Sequence, residues 1–377
     1  MSAGIYVHIP FCLTRCGYCD FNAYAGLDDL KPRYLRALLR EASMVAPASS
    51  GESFDSVFLG GGTPTTMEPA DLKALLEHLR ASFGMRPDAE ITIEANPDTI
   101  DEARLRALRE VGYTRLSMGA QSFDPSVLAA LERVHPPEGV RSAFAAARSA
   151  GYDNVSLDLI YGADGETLTS WERTLRETIA LAPEHVSAYA LTIEPSTPLG
   201  RRVAAGLVPP PDPDLQADMF ELAGRLLTSA GYQHYEVSNW AKPGFECRHN
   251  LGYWERRPYV GLGAGAHSYR DETRWWNLRP PEQYMSAVET GDLPIGGSET
   301  LEPADARLEE VFLGLRTFRG VPSAEVESDA AVPFLEGGLL AWSNGSFLPT
   351  ERGMLLLNEL VLGLTPPVVR PAYRGFP

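Results

Sequence analysis

HIPFCLTRCGYCDFN, residues 8–22, carries Cys12, Cys16 and Cys19, three of the four cysteines among 377 residues. C-x3-C-x2-C on a short loop can wrap three thiolates around one compact metal centre. Cys247 stands far along the chain, and Phe21 fills the place where a further thiolate would extend the run. Zinc in a closed structural site takes four ligands, and a [4Fe–4S] cluster normally takes four cysteines. Held by three, the cluster keeps one iron with an open position, as a metal that binds substrate must. A zinc site closed by Cys247, a three-cysteine cluster and unpaired structural thiols are the readings that spacing leaves open.

Around this stretch the chain is rich enough in apolar (44%) and aromatic (9%) residues to build a substantial core. The formal net charge of −17 speaks against nucleic-acid binding, which uses a basic surface to meet phosphate. It also disfavours broad adsorption to anionic lipid. No apolar run reaches the roughly 18 residues of a membrane span, and the first dozen residues lack the features of a secretory signal. The expectation is a cytoplasmic protein with at most transient membrane contact. In that reducing compartment clustered thiols read as metal or redox chemistry before disulfides.

Apolar, β-favouring runs at 4–9, 56–60, 90–95, 115–119, 154–162 and 185–191 alternate with amphipathic helices predicted at 28–45, 69–82, 101–111, 139–150 and 167–181. Leu72, Leu75, Leu76 and Leu79 carry the i, i+3, i+4, i+7 spacing of a buried helical stripe. Strand–helix repeats of this kind predict a parallel α/β sheet with right-handed crossovers, as a barrel or a doubly wound sheet. Polar and glycine-rich pieces follow the strands: FCLTRC, GGGTPT (60–65), Glu94 to Asn96, GAQSFD, Asp158 and Ala190. That placement makes one end of the sheet the expected active face. VPPPDPD (208–214) reads as a stiff linker. A helix at 215–230, a glycine- and aromatic-rich stretch to 277, and a tail with helices at 304–317 and near 353–364 follow.

C-x3-C-x2-C with Tyr18 before its last cysteine resembles the radical S-adenosylmethionine (SAM) superfamily. The resemblance implies a partial (β/α)6 barrel with a small C-terminal α+β domain. It divides the chain into a core over 1–232, a segment packed on it over 233–300, and a C-terminal domain over 301–377. It also implies that Cys12, Cys16 and Cys19 hold a [4Fe–4S] cluster whose free iron chelates the amino and carboxylate groups of SAM. An electron from the cluster then cleaves the sulfonium C–S bond to give a 5′-deoxyadenosyl radical. GGGTPT resembles the superfamily's glycine motif, in which Gly61, Gly62 and Thr63 meet the methionine amino group. In the oxygen-independent coproporphyrinogen oxidase-like branch, the SAM contacts fall on Tyr6, Glu94, Gln121, Arg133, Asp158 and Ala190. The side chains match those contacts in chemistry, with Arg133 for a carboxylate, Asp158 for ribose hydroxyls, Glu94 for an ammonium and Gln121 for mixed polar contacts.

Within that branch the oxidases carry a C-x3-C-x2-C-x-C motif and a long segment before it. Here the motif reads CDFN, and eleven residues precede Cys12. Both departures point to the branch's haem chaperones. HNLGYW (249–254) resembles their haem-binding H-N-x-x-Y-W motif, with His249 for iron, Tyr253 and Trp254 for the porphyrin faces and Asn250 for a hydrogen bond. The implied partners are haem as cargo, apoproteins such as membrane respiratory enzymes that receive it, and an electron donor; nucleic acid is not among them. An oxidase that converts coproporphyrinogen III to protoporphyrinogen IX is the rival from another class, and a metal-stabilised scaffold without redox chemistry is a third. Cys247 is expected to be a buried inert thiol, and the glycine-rich GLGAGAHSY (261–269) has no role that the sequence supplies.

Overall fold

The computed structural model describes residues 2–365. Six strands lie side by side in chain order, each parallel to the next: β1 (Ser2–Ile9), β2 (Ser53–Gly61), β3 (Met85–Ala95), β4 (Arg115–Gln121), β5 (Val155–Tyr161) and β6 (His185–Ala190). Helices Lys31–Val45, Pro69–Ser82, Glu102–Val111, Pro137–Ser149 and Leu168–Leu181 make the crossovers, with a short extra helix, Pro125–Ala130, after β4. Local signals set their ends. Asp101 caps Glu102–Val111 by accepting from the Arg104 backbone N–H at 2.7 Å, and Gly112 closes that helix in the left-handed region. The leucine stripe of Pro69–Ser82 is fully buried.

The strands alternate sharply between their two faces. Val7, Leu59, Ile93, Leu116 and Val155 stand in register across five strands and are all buried. The neighbouring row, Glu94, Ser117, Ser156 and His185, is polar throughout. One face thus carries aliphatic packing while the other lines a polar interior. Such an interior has to be hydrogen-bonded within itself, and the carboxylates and hydroxyls described below do this.

The sheet extends past these six strands at both edges. Beyond β6 come β8 (Asn239–Ala241), antiparallel to it, and β7 (Gln233–Glu236). On the far side of β1 lies a seventh parallel strand, β9 (Tyr259–Leu262), in register from Gly4↔Tyr259 to Val7↔Leu262. Antiparallel β10 (His267–Arg270) and β11 (Thr273–Asn277) and then β12 (Ile295–Thr300) complete that edge. The order β12-β11-β10-β9-β1-β2-β3-β4-β5-β6-β8-β7 leaves the sheet open, not a closed barrel. Strands within 233–300 therefore lengthen the central sheet.

Two compact units divide the chain. Of the described residues, the first takes in those up to His234, then Ser238–Gly252 and Arg257–Glu299; the second comprises Tyr235–Val237, Tyr253–Arg256 and the described residues from Thr300 on. In the second, helices Pro303–Gly314, Ser328–Glu336 and Leu357–Leu364 accompany an antiparallel sheet of Val321–Pro322, Ser346–Pro349 and Leu340–Ser343. Val311, Leu315, Ala331 and Leu360 are buried within it. Among the described residues no helix is long and apolar enough to cross a membrane.

Candidate cluster and cofactor site

The loop that leaves β1 brings Cys12, Cys16 and Cys19 to the carboxyl ends of the strands, each thiol half-buried. Backbone contacts fix its course. Gly62 N donates to Ile9 O at 2.8 Å, Thr63 N to Phe11 O at 2.7 Å, Tyr24 N to Pro10 O at 2.7 Å, and Leu199 N to Gly17 O at 2.9 Å. Tyr18 packs against an apolar cluster that includes Val127, Leu131, Ile160 and Leu199. The Thr63 hydroxyl points at Cys12 Sγ from 3.7 Å, and Arg133 Nη1 donates to Cys16 Sγ at 3.3 Å. Burial pushes the Cys19 thiol up to about 11 and raises that of Cys12; a metal ion bound there would supply the positive charge that reverses this. Among the described residues no group of three or more His, Cys, Asp or Glu closes on a single metal ion. Cys247 lies elsewhere, fully buried with its thiol 3.6 Å from Glu90 Oε1. Glu90 precedes Glu94 by about 13 Å of strand at about 3.3 Å per residue, on the amino-terminal side of the sheet.

Beside the loop, the strand ends bring together most of the other residues that the sequence singled out. Gly61 N donates to Glu94 Oε2 at 3.1 Å. A Cβ on Gly60 would lie 2.9 Å from the same oxygen, so the bare backbone makes room for that carboxylate. Desolvation, with the nearby Asp158 charge, raises Glu94 to about 8. Asp158 accepts from Ser117 at 2.9 Å, Ser156 at 3.0 Å and Ser187 at 2.8 Å, three hydroxyls from three strands. Gln121 ends β4 with a φ of 63°, which turns the strand at its mouth. Tyr6 faces the interior, its hydroxyl 3.0 Å from His8 Nδ1, and Ala190 is exposed at the end of β6. Asn96, which the sequence placed at a polar strand end without a binding role, joins the parts: Nδ2 donates to Thr63 Oγ1 at 3.0 Å, and Oδ1 accepts from Arg133 Nη2 at 2.7 Å. Its position two residues after Glu94 on an alternating strand is the signal that could have found it.

HNLGYW behaves differently. It forms the helix Arg248–Trp254. His249 is 3% exposed, hydrogen-bonded to Ser56 Oγ at 3.1 Å and stacked on Phe58 at 5.3 Å. A Cβ on Gly4 would sit 3.1 Å from its Nδ1, so the ring fills the amino-terminal side of the polar interior. Desolvation lowers it to about 3, leaving it neutral. In the observed conformation the imidazole faces Ser56 and Phe58 inside the sheet. Asn250 is half-buried on the same helix, while Tyr253 and Trp254 fall in the second unit, where Arg316 lies over the Trp254 ring at 4.8 Å.

The donor set beside the three thiols suits an iron–sulfur cluster with a charged small-molecule ligand. Arg133 Nε is buried without a hydrogen-bond partner, a spare donor a few ångströms from Cys16. Glu94 is an acceptor in a desolvated place, and Gly60 to Gly62 leave backbone bare between them. A parallel sheet with thiols after its first strand and polar groups at the next four strand ends is the architecture of a radical SAM protein, and the Radical SAM superfamily model matches residues 6–178. That class implies SAM and a [4Fe–4S] cluster.

Within it the chain belongs to the HemW family. It is 42% identical over 364 residues to the heme chaperone HemW of Mycobacterium tuberculosis, spanning 95% of this chain and 93% of the relative. It is 40% identical over 375 residues to the heme chaperone HemW of Escherichia coli, spanning 95% and 96%. The solved structure of the Escherichia coli coproporphyrinogen III oxidase HemN, a radical SAM enzyme, superposes with a TM-score of 0.84 at 25% identity, covering 97% of this chain and 90% of that one.

Proposed function

We propose that this chain is a haem chaperone that binds haem and passes it to apoproteins, membrane respiratory enzymes among them, and that an electron donor serves its cluster. The observation that carries the reading is the full-length likeness to proteins named heme chaperone HemW, 35% identical or more over 94–95% of this chain in Mycobacterium tuberculosis, Bacillus subtilis and Escherichia coli. Cys12, Cys16 and Cys19 hold the [4Fe–4S] cluster. When bound, the cluster supplies a low-potential electron and one iron open to SAM. Arg133, positioned by Asn96, meets the methionine carboxylate. Glu94 and the backbone of Gly61, Gly62 and Thr63 meet the ammonium, Asp158 the ribose hydroxyls, and Gln121, Tyr6 and Ala190 border the rest. The aliphatic face of the sheet keeps water from one side of this site, and the serine hydroxyls around Asp158 hold its carboxylate in place. For the domain division, the reading is a core over 1–232, a segment over 233–300 and a C-terminal domain over 301–377.

The test uses anaerobically reconstituted full-length protein. Iron and sulfide near four each per chain, an EPR spectrum that changes with SAM, and loss of both in Cys16→Ala support the cofactor assignment. Haemin uptake, followed by restored activity of a haem-free recipient enzyme, supports the chaperone. The likeness to HemN favours a second reading, oxidation of coproporphyrinogen III. Protoporphyrinogen formation at catalytic turnover would replace the first reading with that one.

A further inference from the structure

The helix Arg248–Trp254 is seven residues long, and His249 is its one buried residue. Two turns of helix do not persist in water unaided, so its place depends on what ties it down. Those ties run to the first three strands. Glu90 on β3, itself buried, accepts from Arg248 N at 3.3 Å and from His249 N at 3.4 Å, with Cys247 Sγ 3.6 Å away. Arg248 Nη1 donates to Asp88 O at 2.9 Å. Arg257 Nη2 donates to Arg248 O at 2.7 Å, while its Nη1 donates to Asp55 Oδ2 on β2 at 2.9 Å.

The His249 ring is held as closely as its backbone. Its Nδ1 lies 3.1 Å from Oγ of Ser56, a buried residue of β2. Phe58 stacks on it at 5.3 Å and Tyr6 at 6.3 Å. A ring so enclosed leaves no room beside it for a porphyrin, yet HNLGYW is the stretch that the haem-chaperone reading assigns to the cargo. Both hold if the segment has two positions. We propose that Ser56 and Glu90 are a latch that keeps His249 seated inside the sheet in the empty protein, and that haem uptake draws the segment out of this seat by undoing their hydrogen bonds. The inference rests on the haem-chaperone reading and adds a closed state to it. Short segments with little buried surface open at low cost. The apparent affinity for cargo is then the intrinsic one reduced by the fraction of chains already open.

The experiment titrates haemin into cluster-loaded full-length wild type, Ser56→Ala, His249→Ala and the double variant, read by the Soret band. Ser56→Ala removes a bond made only in the closed state, so haemin should bind about two- to tenfold more tightly, with the cluster EPR signal kept. That gain should vanish when His249 is also replaced, because the latch acts through this ring. In wild type, haemin should speed hydrogen exchange at the Arg248 and His249 amides that Glu90 holds, a measurement that decides by itself where Ser56→Ala does not fold. Ser56→Ala that binds no tighter than wild type, a gain that survives loss of His249, or amide protection that haemin leaves intact overturns the latch and leaves the chaperone reading standing. Wild type that takes up no haemin overturns both.

Discussion

Gly61 shows how little latitude the strand ends allow. Its φ of 108° lies where side chains are strained, and a Cβ would drive into the His8 ring. His8 in turn holds Asn22 O through Nε2 at 2.9 Å. Gly61→Ala should therefore cost about 1–2 kcal/mol from the backbone alone, lower the melting temperature, and lose SAM binding measured by calorimetry. Gly60→Ala has no such backbone penalty but pushes on Glu94 Oε2; SAM affinity should fall with the melting transition nearly kept. The cysteines and the strand-end polar residues were legible because each stands next to a turn signal in a periodic pattern. Asn22, Tyr34 and Glu41 were not, because each is held by groups more than two hundred positions away, among Gly263, Ala264, Asn277, Arg279 and Tyr284, and no local pattern records that.

Those three residues act together as an element. Glu41, on helix Lys31–Val45, accepts from Tyr284 Oη at 2.6 Å, Gly263 N at 2.8 Å and Asn277 Nδ2 at 2.5 Å. Tyr34 Oη donates to His8 O at 2.9 Å and accepts from Ala264 N at 2.8 Å. This supplies the role that GLGAGAHSY lacked: a glycine bend against which the first helix and the cluster loop are both braced. Desolvation raises Glu41 from 4.5 to about 7. Because the native state holds this proton more tightly than the unfolded chain, the stabilisation is complete below pH 4.5 and is lost as pH rises through about 7. The effect is on the order of 3 kcal/mol for a fully buried group. Glu41→Gln should flatten the pH dependence of urea-unfolding stability across that window, while costing about 1–3 kcal/mol from a mismatched donor. At this scale all six core strands and their helices were readable from periodicity. The seventh parallel strand, Tyr259–Leu262, was not: it is four residues long between Pro258 and Gly263, and its partner is β1.

For the molecule as a whole, the boundary near residue 300 is not a clean seam. Tyr235–Val237 and Tyr253–Arg256 belong with the second unit, where Val237 N donates to Arg316 O at 2.9 Å and Arg256 pairs with Glu309. A chain ending at 299 should leave these segments without their partners. It should melt earlier and expose more apolar surface to a fluorescent dye than the full chain; an unchanged melt would make 301–377 an independent module. The same long-range closure governs how the protein is made. The cysteine loop leaves the ribosome long before Tyr259–Leu262, and until that strand has been translated β1 is flanked on one side only. Pairing between such distant segments is slow to form. On the proposed three-thiol site, iron offered to the nascent chain would meet an unbraced loop, so metal loading is expected only once Tyr259–Leu262 has paired with β1.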